Sequence, residues 1–242
     1  MAELRHAAYC GTRAIYDDME TAAKSLVANS DVDRVHFVIE DAEFPRELPG
    51  IIECHDASGQ VWFDRDGPNM ESGYTYMAMM RIALCHVLPD VDRVLSLDAD
   101  TFAVNICSDV WNLPIDDCYL AAAHEWHRTN DDLLYCNFGV VLYNLDKLRD
   151  GKADECIAEL NAQRYPWVEQ DVGNYRCQGA IYDMPATYNS NWWTDKYGTP
   201  HPRIVHYAGE PRAQWFGKPA PTYYREMPWD EALARHEAVC HG

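Results

Sequence analysis

The sequence predicts an α/β protein whose mixed, mostly parallel sheet is covered on both faces by helices. Runs with strand character alternate with runs of helical periodicity, as parallel sheets with crossover helices require. Residues 35–39 (Val-His-Phe-Val-Ile) and 93–97 (Arg-Val-Leu-Ser-Leu) are compact apolar runs with clear strand character. At 242 residues and 48% hydrophobic content, the chain can bury a full core. No repeat, low-complexity tract or linker interrupts it, so a single domain over 1–242 is expected.

Residues 7–10 read as the first strand, followed by a turn at Gly11-Thr12-Arg13. Asp17 or Asp18 is placed to cap a helix running through Lys24 to Val27. Residues 35–39 form a second strand and 51–54 a third. The stretch 56–73, rich in Asp, Gly, Pro and Asn, reads as a loop. Met77, Met80, Leu84 and Leu88 recur at helical spacing and predict one helix over 75–88, with Arg81 on its apolar stripe. Further strands are expected at 93–97, 119–123, 139–143 and 203–207. Helices are expected near 145–163 and 229–239, and one opens at Glu169-Gln170-Asp171.

Composition removes several classes of function. A formal net charge of −19 opposes binding to nucleic-acid backbones or docking on anionic membranes. No apolar run approaches the roughly 18 residues needed to span a bilayer, and no signal segment is legible at the N-terminus. Nine cysteines, scattered without a Cys-x-x-Cys pair, fit free thiols in a reducing compartment better than a disulfide framework. A cytoplasmic location is the resulting expectation.

Asp98 and Asp100 are the most informative pair. Asp-x-Asp occurs four times, at 31/33, 64/66, 90/92 and 98/100, and only the last follows an apolar strand. At a strand's period of two, both side chains point to one side. Two carboxylates aimed at one spot call for a cation, placed where open α/β sheets bind their ligands. A strand-ending turn, with each Asp bonded to nearby amides, accounts for the same pattern.

Other polar residues stand out beside strands and helix starts. Asn137 precedes Gly139, where a ligand can approach the backbone closely, though a turn Asn would look the same. Gln170 carries both a donor and an acceptor, which suits sugar hydroxyls. His206 ends a strand before Gly209 and can supply an imidazole to a metal held by two carboxylates, though a satisfied structural histidine reads the same. Arg212 follows nearby and can contact a phosphate oxygen, and a lone surface arginine reads the same. Arg81, on a buried stripe, needs an anion, and either a core acid or a phosphate serves.

Taken in order, these motifs resemble glycosyltransferase family 8. They are Arg81 on its helix, Leu97-Asp98-Ala99-Asp100, Asn137-Phe138-Gly139-Val140, Glu169-Gln170-Asp171 and His206-Tyr207-Ala208-Gly209. The resemblance covers about 75–215 and implies a GT-A fold that binds a nucleotide sugar and Mn²⁺, with Mg²⁺ as the alternative ion. It implies a retaining transfer of glucose or galactose from UDP-glucose or UDP-galactose to an acceptor hydroxyl. Residues 1–100 would be the nucleotide-binding half, 101–215 the donor-sugar and acceptor half, and 216–242 a C-terminal tail. By the same resemblance, Asp98, Asp100 and His206 would ligate the metal. Tyr9, Gly11, Thr12, Arg81, Ala99, Gly209 and Arg212 would border the nucleotide, and Asn137 and Gln170 the reacting face of the sugar. Gln170, Asn137, Arg81 and Asp100 would carry the catalysis.

The chain departs from the family in three places. Phe138 replaces a small residue, and its ring would either narrow the donor pocket or turn into the core. The closing His-x-x-Gly-x-x-Lys-Pro-Trp becomes His206 to Trp215 with Arg212 for Lys and no following Pro. The usual acid after the first strand is absent from Cys10-Gly11-Thr12-Arg13. Because Gln170 is a poor nucleophile and no two-carboxylate pair is evident, front-face attack by the acceptor is favoured over a covalent intermediate. The alternatives from other classes are a sugar-nucleotide nucleotidyltransferase and a non-catalytic sugar- or cation-binding module. The acceptor, whether glycan, lipid-linked or protein (self-glycosylation included), is not legible, and neither is the oligomeric state.

Overall fold

The computed structural model describes residues 4–70, 72, 74–127, 134–212, 214 and 219–242. Its strands are β1 (His6–Gly11), β2 (Arg34–Ile39), β3 (Ile52–Asp56), β4 (Arg93–Leu97), β5 (Thr101–Ala103), β6 (Leu120–His124), β7 (Cys136–Asn144), β8 (Ile181–Asp183) and β9 (Ile204–His206). Seven form one sheet in the order β3-β2-β1-β4-β7-β6-β8, and β5 pairs separately with β9. The pairs β1–β2, β2–β3, β1–β4 and β6–β8 are parallel. Within this sheet only β4–β7 and β6–β7 run antiparallel. The sheet is therefore mixed and mostly parallel, as predicted.

The helices are α1 (Tyr16–Ala28), α2 (Tyr76–Met79), α3 (Leu84–Val87), α4 (Leu145–Leu148), α5 (Lys152–Ala162), α6 (Val168–Arg176), α7 (Pro219–Glu226) and α8 (Trp229–His241). One face of the sheet buries Met19, Leu26 and Val27 of α1 against Phe37 and Leu95. The other buries Met77, Met80 and Leu84 against Val38, Val94 and Val141. Residues of β7 are buried at every position, as expected of a strand covered on both faces. Each large side chain fully removed from water here contributes about 1.5–3 kcal/mol.

The chain winds from β1 to β2 to β3 in one direction, then returns to lay β4 against the other side of β1. The carboxyl ends of β1 and β4 thus flank the reversal in strand order, where such sheets open a crevice.

Several expected elements take a different form. The helix predicted over 75–88 is broken into α2 and α3. Between them, Arg81, Ile82 and Ala83 donate to the carbonyls three residues back, which winds the segment more tightly than an α-helix. Met77, Met80, Leu84 and Leu88 are nonetheless all buried, so the apolar stripe survives the break. The helix expected near 145–163 is interrupted at Gly151, whose φ of 107° lies in the left-handed region. Asp17 and Asp18 occupy the first turn of α1, and Ile15 takes the cap position. Strands β5 and β8 and helix α7 were not anticipated; two of them are only three residues long.

Candidate active site

Strand β4 delivers Asp98 to the crevice, and a turn brings Asp100 beside it. Asp98 N–H donates to the Gly139 carbonyl at 2.8 Å, which ties this point to β7. The Thr101 amide and hydroxyl both donate to the Asp98 carbonyl, at 3.1 and 2.7 Å, and close the turn. The two acids converge through this turn rather than by strand alternation. Immediately after it, β5 pairs antiparallel with β9 and sets Thr101 opposite His206. This small sheet carries a histidine from more than a hundred residues away onto the acidic pair.

His206 Nε2 lies 3.3 Å from Asp100 Oδ1 and 3.6 Å from Asp98 Oδ2. One ligand atom from each of the three residues falls within 4.8 Å of the others. His206 Nδ1 faces Asn189 Oδ1 at 2.9 Å, so a proton on Nδ1 leaves the Nε2 lone pair directed at the carboxylates. Burial works against a charged imidazole, but Asp100 and Asp98 outweigh it, and the His206 pKa is raised. The Asp98 pKa is raised by burial, and also by Asp100, against the pull of Arg81. Both shifts report a site with too little positive charge.

Arg81 projects from the tightened turn into the sheet and is only 6% exposed. It donates to Asp98 Oδ1 at 2.6 Å and to the Phe138 carbonyl at 2.6 Å, and it forms a second ion pair with Glu169 of α6. Burial opposes its charge, yet Asp98 and Glu169 more than compensate and hold its pKa above the ordinary value. The structure thus gives Arg81 two core acids as partners, one of them a metal-ligand candidate.

Asn137 and Gln170 belong to one buried polar network. Asn137 Nδ2 donates to Glu125 Oε1 at 2.9 Å, and Asn189 Nδ2 donates to Asn137 Oδ1 at 2.9 Å. Gln170 Nε2 reaches Glu125 Oε1 at 3.3 Å and Tyr135 Oη at 3.2 Å, while its Oε1 accepts from the Phe138 amide at 3.0 Å. Tyr135 in turn donates to Asp171 Oδ1 at 2.6 Å. Such a network locks the rotamers of the amides it contains.

Two glycines make this packing possible. A Cβ on Gly139 would lie 1.9 Å from His206 Cε1, and one on Gly173 would lie 2.4 Å from the Phe138 ring. The Phe138 ring therefore turns into the core against α6, edge-on to Tyr143, and stays out of the cavity.

The cavity holds about 580 Å³ and is lined by, among others, Arg81, Asp98, Ala99, Asp100, Asn137, Gln170, His206 and Gly209. Tyr9, Gly11 and Thr12 are not in its lining. Tyr9 packs edge-on against Phe37 on the α1 face of the sheet, and its neighbour Cys10 lines the cavity instead. Arg212 pairs with Asp18 at 2.7 Å, and Asp18 is in the lining. Trp215 lies outside the described residues.

Sequence reasoning missed Glu125, Asn189 and the part played by Glu169. Glu125 directly follows the apolar strand β6, the same signal that singled out Asp98. Asn189 follows a single short helical turn and carried no comparable signal.

Among the described residues, five carboxylates line the cavity (Asp18, Asp98, Asp100, Glu125 and Glu169) against one guanidinium, that of Arg81. Two carboxylates and an imidazole at this spacing form a donor set suited to Mn²⁺ or Mg²⁺.

The sequence profile described as Glycosyl transferase family 8 matches residues 17–215. A Haemophilus influenzae protein assigned as a glycosyltransferase is 22% identical over 188 residues, covering 68% of this chain and 57% of its own length. Among solved structures, the glycosyltransferase GlyE of Streptococcus pneumoniae TIGR4 superposes with a TM-score of 0.69 at 18% identity, over 99% of this chain and 64% of GlyE. The chain thus spans about three fifths of the length of these two relatives. The galactosyltransferase LgtC, solved with donor and acceptor sugar analogues, superposes with a TM-score of 0.66 at 19% identity, over 94% of this chain and all of LgtC. These likenesses show the GT-A fold. No described helix is long and apolar enough to cross a membrane. With its profile match extending over most of the sequence and its sheet arranged as in these enzymes, the chain belongs to glycosyltransferase family 8.

Proposed function

We propose that the protein transfers glucose or galactose from a UDP-sugar to an acceptor hydroxyl, with retention at the anomeric carbon and dependence on Mn²⁺. One catalytic unit over 1–242 carries the reaction, residues 1–100 holding the nucleotide and 101–215 the sugar. The observation that supports this most strongly is the excess of carboxylates at the switch point, with Asp98, Asp100 and His206 converging there. A divalent cation would relieve that excess and would give a diphosphate its counter-charge. When bound, a divalent ion supplies Lewis-acid neutralisation of the leaving diphosphate.

The chain's own residues have separable tasks. Asp98, Asp100 and His206 would hold the ion, and Asn189 orients the imidazole. Arg81 acts chiefly by fixing Asp98 in place. Arg212, paired with Asp18, supplies a cation for the diphosphate. Ala99 and Gly209 line the cavity without polar side chains, which leaves room for the nucleotide. Asn137 and Gln170 present amides whose positions Glu125 and the Phe138 N–H have set. Tyr74, Trp167 and Trp193 also line the cavity while remaining 49%, 41% and 37% exposed. Their rings offer an apolar face with a polar edge, which suits a carbohydrate acceptor.

Gln170 is neutral and held by three partners, which supports front-face displacement. The bond from the anomeric carbon to the diphosphate oxygen breaks, the bond to the acceptor oxygen forms on the same face, and the acceptor's proton passes to the diphosphate. Complete loss of turnover in Gln170→Ala with intact donor binding would argue for a covalent route.

The deciding experiment is a UDP-release screen over several UDP-sugars, with and without MnCl₂. Release from UDP-glucose or UDP-galactose that requires the metal and vanishes in Asp100→Asn is the expected result. Metal-independent release, or none from any UDP-sugar, would overturn the proposal.

A further inference from the structure

Strands β1, β2 and β3 carry a row of imidazoles that glycosyl transfer does not use. His6 Nδ1 lies 2.9 Å from His36 Nε2, and His36 Nδ1 lies 2.9 Å from His55 Nε2. The strand register produces this row: His36 stands opposite Glu53, and His55 is two residues further along β3 on the same face. Glu53 Oε2 approaches the same His36 Nδ1 at 3.6 Å, beyond hydrogen-bonding range. Its other oxygen is held by Arg34 at 3.2 Å, which keeps Oε2 turned toward the imidazoles.

We propose that His36, His55 and Glu53 form a second metal site, at the edge of the sheet, for a divalent ion of the zinc class. Three ligand atoms, one from each residue, lie within 4.8 Å of one another. Tetrahedral zinc with bonds of about 2.0–2.1 Å separates its ligand atoms by about 3.3 Å. The contacts of 2.9 and 3.6 Å bracket that spacing, so small side-chain shifts complete the site. A water can take the fourth position, since β3 is the edge strand and the Glu53 side chain is 48% exposed.

The donor set distinguishes this site from the catalytic one. Two imidazoles and one carboxylate favour zinc, whereas two carboxylates and one imidazole suit a harder ion such as Mn²⁺. His36 is buried, and burial, with His55, His6 and Arg34 adding to it, pushes its pKa down to about 3. Its ring is therefore neutral at pH 7, as a ligand must be. A proton on His36 Nε2 shared with His6 would turn the Nδ1 lone pair toward the ion and toward His55 Nε2, 2.9 Å away, so His6 is a positioning residue.

The test uses full-length protein stripped with chelator, loaded with ZnCl₂ and passed through gel filtration before bound zinc is counted. Protein carrying Asp98→Asn and Asp100→Asn should retain one zinc, because the proposed site does not involve those residues. Glu53→Gln and His55→Gln should each weaken zinc binding at least about tenfold. Zinc should also raise the thermal midpoint of the wild type but not of the double variant Glu53→Gln/His55→Gln. Glu53 is exposed, and Glu53→Gln preserves its shape, so that variant reports on the ion and not on folding. Loss of zinc from the Asp98→Asn/Asp100→Asn protein on gel filtration would mark an adventitious ion and overturn the proposal. Wild-type affinity in both β3 variants would overturn it equally.

Discussion

Gly139 and His206 are packed so closely that the glycine has no room for a side chain: a Cβ there would stand 1.9 Å from the imidazole Cε1 and 2.3 Å from Nδ1. The ring is buried on β9 and cannot retreat without dragging that strand from β5. Gly139→Ala should therefore rotate or displace His206 and weaken metal-dependent UDP binding at least about tenfold. Overpacking should also cost about 1–3 kcal/mol of stability. Calorimetric titration with UDP and MnCl₂, beside a urea melt, measures both; unchanged UDP affinity would separate His206 from the metal.

Asn189 touches no proposed substrate position, yet its Oδ1 accepts from His206 Nδ1. Asn189→Ala should reduce Mn²⁺ affinity about 10–100-fold, the usual cost of losing a partner that orients a ligand. Electron paramagnetic resonance of free Mn²⁺ during titration gives the number directly. A loss below threefold would mean that the imidazole needs no such support.

Glu169 and Arg81 form a buried ion pair at the junction of α6 with the sheet. Removing Glu169 takes away the more deeply buried of the two acids that hold Arg81, so Glu169→Leu should destabilise the protein by about 3–5 kcal/mol. Urea unfolding followed by circular dichroism tests this. A cost under about 1 kcal/mol would show that Asp98 alone suffices for the guanidinium.

The stability of metal-free protein should depend on pH through His36. Its folded pKa is pushed down to about 3, against an unfolded value near 6.5, because burial disfavours the imidazolium. Between these values the unfolded chain binds a proton that the folded chain refuses, so stability falls as the pH drops below about 6.5. The decline amounts to at most about 1.4 kcal/mol per pH unit and ends near pH 3. Urea melts at pH 7 and pH 5 in the presence of chelator should differ for the wild type and differ less for His36→Gln. Parallel slopes for the two proteins would remove His36 as the source.

The parts of this site that were legible in the sequence are those that end apolar strands. Asp98 and Asp100 follow β4 and His206 ends β9, so position at the end of an apolar strand drew attention to them, although a turn and not the strand period brings the two acids together. The same logic should have found Glu125, which follows Leu120–His124 of β6. Asn189 and the Arg81–Glu169 pair depend on where distant segments meet, and no local pattern encodes that. Tyr9 shows how narrow the margin is: a shift of one residue along β1 moves a side chain to the opposite face, and Cys10 faces the cavity where Tyr9 had been expected. The helix over 75–88 was legible as an apolar stripe but not as two short helices. Periodicity reports which face is buried, not the winding of the turn that carries Arg81 inward.

The polar chain from Glu125 to His206 has a direction. A carboxylate can only accept, so Glu125 obliges Asn137 to offer its NH₂ and turn its oxygen the other way. That oxygen draws the NH₂ of Asn189, whose own oxygen accepts from Asn191 Nδ2 at 2.8 Å and faces His206 Nδ1 at 2.9 Å, where it favours a proton. An anion in the cavity wall thus favours one tautomer of a distant imidazole, through two neutral amides that never change charge. Glu125→Gln would weaken that polarity at its origin, leaving the Gly139 N–H to hold the Asn137 oxygen in place without any ligand residue having been altered.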